Sequence, residues 1–297
     1  MRSIIVLGMH RSGTSALTRA IGALGAEMGP SSELRKNWEN LPLRQVNEQL
    51  LTMGQGTWDA PPSQGWLTPD TARPYVYLAR STLEKQFGSA SVMVWKDPRT
   101  CVTLPFWLEV LVDPVFVLVH RHPSEVTSSL QARNNLGPAH CYAIWERYNA
   151  DALRAATGHP TVVLAYDRLV TDPEDSLAGV RTALADFGVE LPHDPATTDH
   201  GLRADARHHT SARPDAIDPD LATASQQELF GILRDLPGSD KSLQPGRSVP
   251  DPHPISVEVL DLVRRVRLQQ QRRQQRGEQP GMRQPIKRRE IRRSVTP

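Results

Sequence analysis

The stretch SIIVLGMHRSGTSALTRAI (residues 3–21) decides how the chain is read. Residues 3–8 are short, apolar and β-branched, as in a strand buried on both faces. A glycine-bracketed turn follows. Ala16, Leu17, Ala20, Ile21 and Leu24 then recur on one helical face. A strand, tight turn and helix in this order form a phosphate cradle, because turn N–H groups and the helix N-terminus point at the same anion. Gly8 and Gly13 have the spacing of the G-x-x-x-x-G-K-[ST] loop, yet Thr14 stands where lysine belongs.

The missing lysine is informative. Loops that hold nucleoside triphosphates need lysine and Mg²⁺ because the transferred γ-phosphoryl is densely charged. Here the loop's fixed cation is Arg11, suited to bidentate phosphate contact. Ser12, Thr14 and Ser15 add hydroxyl donors. No carboxylate follows an apolar strand in the Walker-B manner. The second strand runs into KDPR (96–99) and the third into HRH (120–122). A cationic site of this kind suits a phosphate-bearing donor and implies no metal.

Charge is unevenly spread over the 297 residues, whose net value is +2. From Arg264 onward there are about twelve Lys/Arg against two Glu, which leaves the body at roughly −8. Cys101 and Cys141 have no CxxC or Cys/His spacing, so they read as buried small hydrophobes. No run approaches the roughly 20 apolar residues of a membrane span, and no secretory leader is visible. The expectation is a cytoplasmic protein.

Further strands are expected at 91–99, 114–123 and 161–170, alternating with helices, which predicts an α/β fold with a parallel sheet flanked by helices. Ser124 is the expected cap of the helix after the third strand. HRSGTS, KDPR, HRHPSE and YDRL all fall at C-terminal strand ends, where such sheets hold ligands. This domain is expected to span 1–212. Residues 213–254 read as a loop-rich extension. Residues 255–297 read as a basic helix, with an apolar stripe at Val257, Leu260, Val263 and Val266, followed by a disordered tail. Three readings stand for that helix: packed on the body, oligomerising, or contacting anionic membrane lipid or nucleic acid.

GMHRSGTSAL, VWKDPR and FVLVHRHPSEVTSSLQAR, in this order and spacing, resemble the PAPS-dependent sulfotransferases, most nearly the bacterial carbohydrate-type and tyrosylprotein-type enzymes. The resemblance covers about residues 3–210. It implies a P-loop-type sulfotransferase fold with PAPS as donor. The first loop, Arg11, Ser12, Gly13, Thr14, Ser15 and Ala16, would bind the 5′-phosphosulfate. The family reads the 3′-phosphate with a strand-end Arg and a Ser eight residues later. Arg121 and Ser129 match, with Arg133 a further turn on. A Tyr that touches the nucleotide in similar proteins matches Tyr166. The RKG-type segment of the cytosolic enzymes is missing, and Arg203 or Ser211 would have to serve instead.

Sulfuryl transfer needs a base on the acceptor hydroxyl and cations where charge develops. The resemblance places Lys96 against the bridging oxygen, together with Arg11. The base would be a Glu among Glu27, Glu33 and Glu39. Glu39 in NWEN is favoured, with Trp38 expected to raise its pKa by desolvation. His10 is expected to orient the turn, and Asp97 with Arg99 to brace their loop by ion pairing. The acceptor would be a hydroxyl of a carbohydrate, glycolipid or secondary metabolite. Trp58, Trp66, Tyr75 and Tyr142 are candidates to stack on it, or to be core. Two rivals remain: a P-loop kinase-like phosphotransferase and a non-catalytic nucleotide-binding protein.

Overall fold

The computed structural model describes residues 1–202, 217–218, 220–236 and 248–275. Strand β1 (Arg2–Leu7) runs through the turn into helix α1 (Thr14–Ala23). Helices α2 (Leu41–Met53) and α3 (Pro69–Phe87) precede β2 (Val92–Lys96) and α4 (Thr100–Val110). Then come β3 (Val115–His120), α5 (Pro123–Asn134), α6 (Pro138–Ala156) and β4 (Thr161–Ala165). The remaining helices are α7 (Tyr166–Thr171), α8 (Pro173–Asp186), α9 (Ala224–Asp235) and α10 (Pro254–Gln275).

The four strands form one parallel sheet in the order β2-β1-β3-β4. Alternate residues feed two cores. Ile5, Leu7, Trp95, Phe116 and Leu118 face the layer containing α2 to α6, α9 and α10. Ile4, Val6, Val94, Val117 and Val119 face α1, α7 and α8. Burial on both faces explains why the strands read as continuous apolar runs. Because all four run the same way, their C-terminal ends share one edge.

Several expectations need correction. The cap of α5 is His122, whose side chain accepts from the Ser124 N–H, so Ser124 lies inside the helix. β4 ends at Ala165, and Tyr166 opens α7 rather than continuing the strand. Part of the supposed loop-rich extension is helical: α9 buries Leu229, Phe230 and Leu233. Its capping box, Thr223 with Gln226, was present in the sequence. Within α10, only Leu260 of the expected stripe is buried, while Val257 and Val266 are exposed. The packed face turns to Ser256, Leu260 and Arg264. Buried Glu146 of α6 ties this layer together, accepting from Ser225 and Gln226 of α9 and from the His253 N–H. α10 therefore packs on the body through the stretch from Ser256 to Leu268, while residues 269–274 are exposed. Arg203, Ser211 and the tail from 276 lie outside the described residues.

Candidate functional site

The turn after β1 is shaped by two left-handed residues, Arg11 (φ 71°) and Gly13 (φ 94°). Gly13 caps α1 without a side-chain bond, and the first helical bond runs from the Leu17 N–H to the Gly13 carbonyl. The N–H groups of Thr14, Ser15 and Ala16 thus have no carbonyl one turn back to pair with. A Cβ on Gly13 would lie 2.1 Å from Tyr166 Cδ2, so the Tyr166 ring packs directly on the turn. Gly8 permits a similar approach: a Cβ there would meet the Val119 carbonyl at 2.4 Å. Its N–H donates to Cys101 Sγ. Ser12 is buried, and its hydroxyl has no partner among the described residues.

Strand β3 delivers Arg121, whose Nε donates to Glu125 Oε2 at 2.8 Å and whose guanidinium lies over the Tyr166 ring at 4.6 Å. Trp145 Nε1 donates to the Arg121 carbonyl and fixes its backbone. Arg11 Nε donates to Ser129 Oγ at 2.8 Å, linking the first loop to α5. Arg121 also donates to the Arg11 carbonyl at 3.3 Å.

Strand β2 ends in Lys96, which is buried and donates to Glu39 Oε1 at 3.1 Å. Glu39 is held by a tight turn. The Arg35 N–H donates to the Glu39 carbonyl and the Trp38 N–H to the Arg35 carbonyl, with Trp38 at φ 60°. Asn37 couples this turn to the first loop, its carbonyl accepting from Ser15 Oγ. Burial pushes the Glu39 pKa up, but Lys96, Arg99 and the hydrogen bonds from Lys96 and Asn37 outweigh it, and the net shift is downward. The expected upward shift from Trp38 is therefore overturned. Trp38 is only half-buried, with the Arg19 guanidinium 6.0 Å from its ring.

Behind Lys96 the loop is braced as expected. Arg99 pairs with Asp97 at 2.8 Å, and Asn47 donates to Asp97 and Thr100. Thr103 and Trp107 donate back to the Asn47 amide oxygen. His10 lies against Trp58 and Tyr148, and burial together with the charges of Arg99, Lys96, Arg133 and Arg11 holds it well below its ordinary pKa.

A cavity of about 200 Å³ gathers Arg11, Gly13, Thr14, Ser15, Ala16, Glu39, Lys96, Arg121, Ser129, Arg133 and Tyr166. Of the first-loop residues expected to bind the donor, Ser12 alone is absent from the lining. Glu27 and Glu33 are absent from the lining. The Glu27 backbone instead pairs with the outer edge of β2. Asn37 lines the cavity and Glu125 holds Arg121, and both were missed. Asn37 lay in plain view in NWEN, but nothing in a single Asn announces which way it faces. The cavity offers bare N–H groups, hydroxyls and four cations against one carboxylate, an arrangement that binds multiply charged anions.

A family model described as the sulfotransferase family matches residues 3–191. A search of the curated proteins finds no match. Among solved structures, the sulfotransferase domain from the Synechococcus PCC 7002 olefin synthase aligns with 18% identity and a TM-score of 0.41, covering 89% of this chain and 94% of that one. The sulfotransferase domain from the curacin biosynthetic pathway gives 16%, 0.41, 89% and 98% in the same order. Sulfotransferase STF9 from Mycobacterium avium gives 17%, 0.44, 81% and 78%. With the family model covering well over half its length, the chain belongs to the sulfotransferase family, whose members transfer sulfate.

Proposed function

We propose that the enzyme moves a sulfuryl group from PAPS to a hydroxyl of a carbohydrate, glycolipid or secondary metabolite, leaving 3′,5′-ADP. One observation carries this reading: a single cavity joins the first loop to Arg121 and Ser129, with Arg11 bonded to Ser129 between them. Two anion sites so joined suit a nucleotide phosphorylated at both ends of its ribose. The N–H groups of Thr14 to Ala16, residues of the cavity wall, support the 5′ end. Arg121 and Ser129 support the 3′ end, and Tyr166 lies where it would cover the nucleotide.

Glu39 is the base in this reading. Its lowered pKa keeps it ionised at neutral pH, ready to take the acceptor proton. As that proton leaves, the acceptor oxygen bonds to sulfur and the bond from sulfur to the bridging oxygen breaks. Lys96 and Arg11 stand where they can meet the charge that develops on the departing phosphate.

Calorimetry tests the assignment. The protein should bind 3′,5′-ADP more tightly than 5′-AMP, and Arg121→Ala should erase that difference. Tight binding of ATP with Mg²⁺, and none of 3′,5′-ADP, would sink the reading.

A further inference from the structure

A second cavity, of about 180 Å³, opens beside the first and shares His10, Asn37, Glu39 and Arg133 with it. Its own lining adds Arg44, Trp58 and Arg99. Given the donor placement proposed above, on which this inference rests, a molecule here reaches Glu39 from a cavity next to the donor's. It is too small for a drug-sized ligand, whose pockets begin at roughly 300 Å³, and suits a single ring.

The charges around it do not cancel. Lys96 takes Glu39 at 3.1 Å, and Asp97 takes Arg99 at 2.8 Å. Glu48 lies between Arg44 at 2.8 Å and Arg99 at 3.3 Å. Each acid is thus matched by a base. Arg133 is left over: it is exposed and has no ion pair or hydrogen bond among the described residues. His10, the remaining titratable side chain of the wall, stays neutral and adds no negative charge.

We propose that the acceptor is a small hydroxylated anion, and that Arg133, supported by Arg44, receives its carboxylate or phosphate while Trp58 lies against its ring. A charge-assisted hydrogen bond to a guanidinium is about twice as strong as a neutral one, so the anion is selected over its uncharged analogue. Arg133 stands on the wall common to both cavities, one helical turn beyond Ser129. Its assignment here moves it from the donor to the acceptor.

The test uses the full chain saturated with 3′,5′-ADP. Methyl glucoside, methyl glucuronide and the phosphate ester of methyl glucoside are titrated in by saturation-transfer NMR. At least one of the two anions should bind about tenfold tighter than the neutral glucoside. The better of them shows whether carboxylate or phosphate is read. Arg133→Ala should remove that preference with 3′,5′-ADP affinity within about twofold of the parent, and Arg133→Lys should restore part of it. Equal binding of all three sugars, or binding of none, overturns the proposal. So does a large loss of 3′,5′-ADP affinity in Arg133→Ala, which returns that residue to the donor. If the parent chain does not bind 3′,5′-ADP at all, the donor reading itself fails, and this proposal falls with it.

Discussion

Lys96 and Glu39 are 3.1 Å apart, both nearly fully buried in the cavity wall, and each keeps the other charged. Burial drives the Lys96 pKa down, while Glu39 and Asp97 pull it up against the charge of Arg99; the net direction is downward. Removing one partner of such a pair leaves an uncompensated buried charge, which costs about 3–5 kcal/mol. Glu39→Gln should therefore lower the denaturant midpoint as well as slow turnover by about 10²–10⁴-fold. The stability loss should shrink at alkaline pH, where Lys96 sheds its proton. Glu39→Gln combined with Lys96→Met should recover stability and leave activity lost. Full activity in Glu39→Gln would remove it as the base.

Gly13→Ala should damage the site through Tyr166. The new methyl would collide with the ring, and alanine at φ 94° adds strain of about 1–2 kcal/mol. Tyr166→Ala in the same chain removes every colliding carbon, so it should relieve the collision and leave the strain. Thermal denaturation of the single and double variants separates the two costs.

Asn47 is fully buried and satisfies four side chains, Asp97, Thr100, Thr103 and Trp107. Asn47→Leu is close in size but orphans them, so it should cost about 3 kcal/mol or more. It should also lower turnover, because the Lys96 loop rests on this network. A variant with parental stability would show that the network is dispensable.

His120 is buried and its pKa is pushed down to about 4. The unfolded chain takes up this proton near pH 6.5, and the folded chain does not until about pH 4. Stability should thus be unaffected by this group above pH 6.5 and fall steadily below it, by about 3 kcal/mol at pH 4. His120→Phe should flatten this part of the pH profile of urea denaturation. An unchanged slope would assign the loss to other groups.

Cys101 and Cys141 are buried, and burial raises their thiols to about 12 and about 11. Neither should react with iodoacetamide at neutral pH in the native protein, and both should react once it is unfolded. Labelling of the native chain, counted by mass spectrometry, decides this.

The sheet was legible because buried parallel strands are short apolar runs with abrupt polar ends. The first loop and Arg121 were legible for the same reason: their positions follow from strand ends. Glu39, read from the sequence as the base, does line the cavity, but its environment was misread. Trp38 beside it in sequence suggested desolvation, whereas Lys96, 57 residues away, sets the direction of its pKa. Such pairings across the fold leave no local trace. α9 was missed although its capping box and apolar spacing were present, because Gly231 and its polar surroundings diluted the pattern. The face of α10 was misjudged by about one position, since arginine stems at 264 and 267 cover surface that an apolar-only pattern ignores.

The strand order carries a consequence for length. Lys96 ends β2, and the Arg11 turn, Arg121 and Tyr166 follow β1, β3 and β4; the four strands are neighbours in that order across the sheet. Adjacent strands are about 4.8 Å apart, so four strand ends span about 14 Å. The sheet is thereby a ruler laid under the cavity, graduated in strand spacings. Loops can be remodelled without altering that scale. Moving a phosphate contact to the next strand would shift it by one whole graduation.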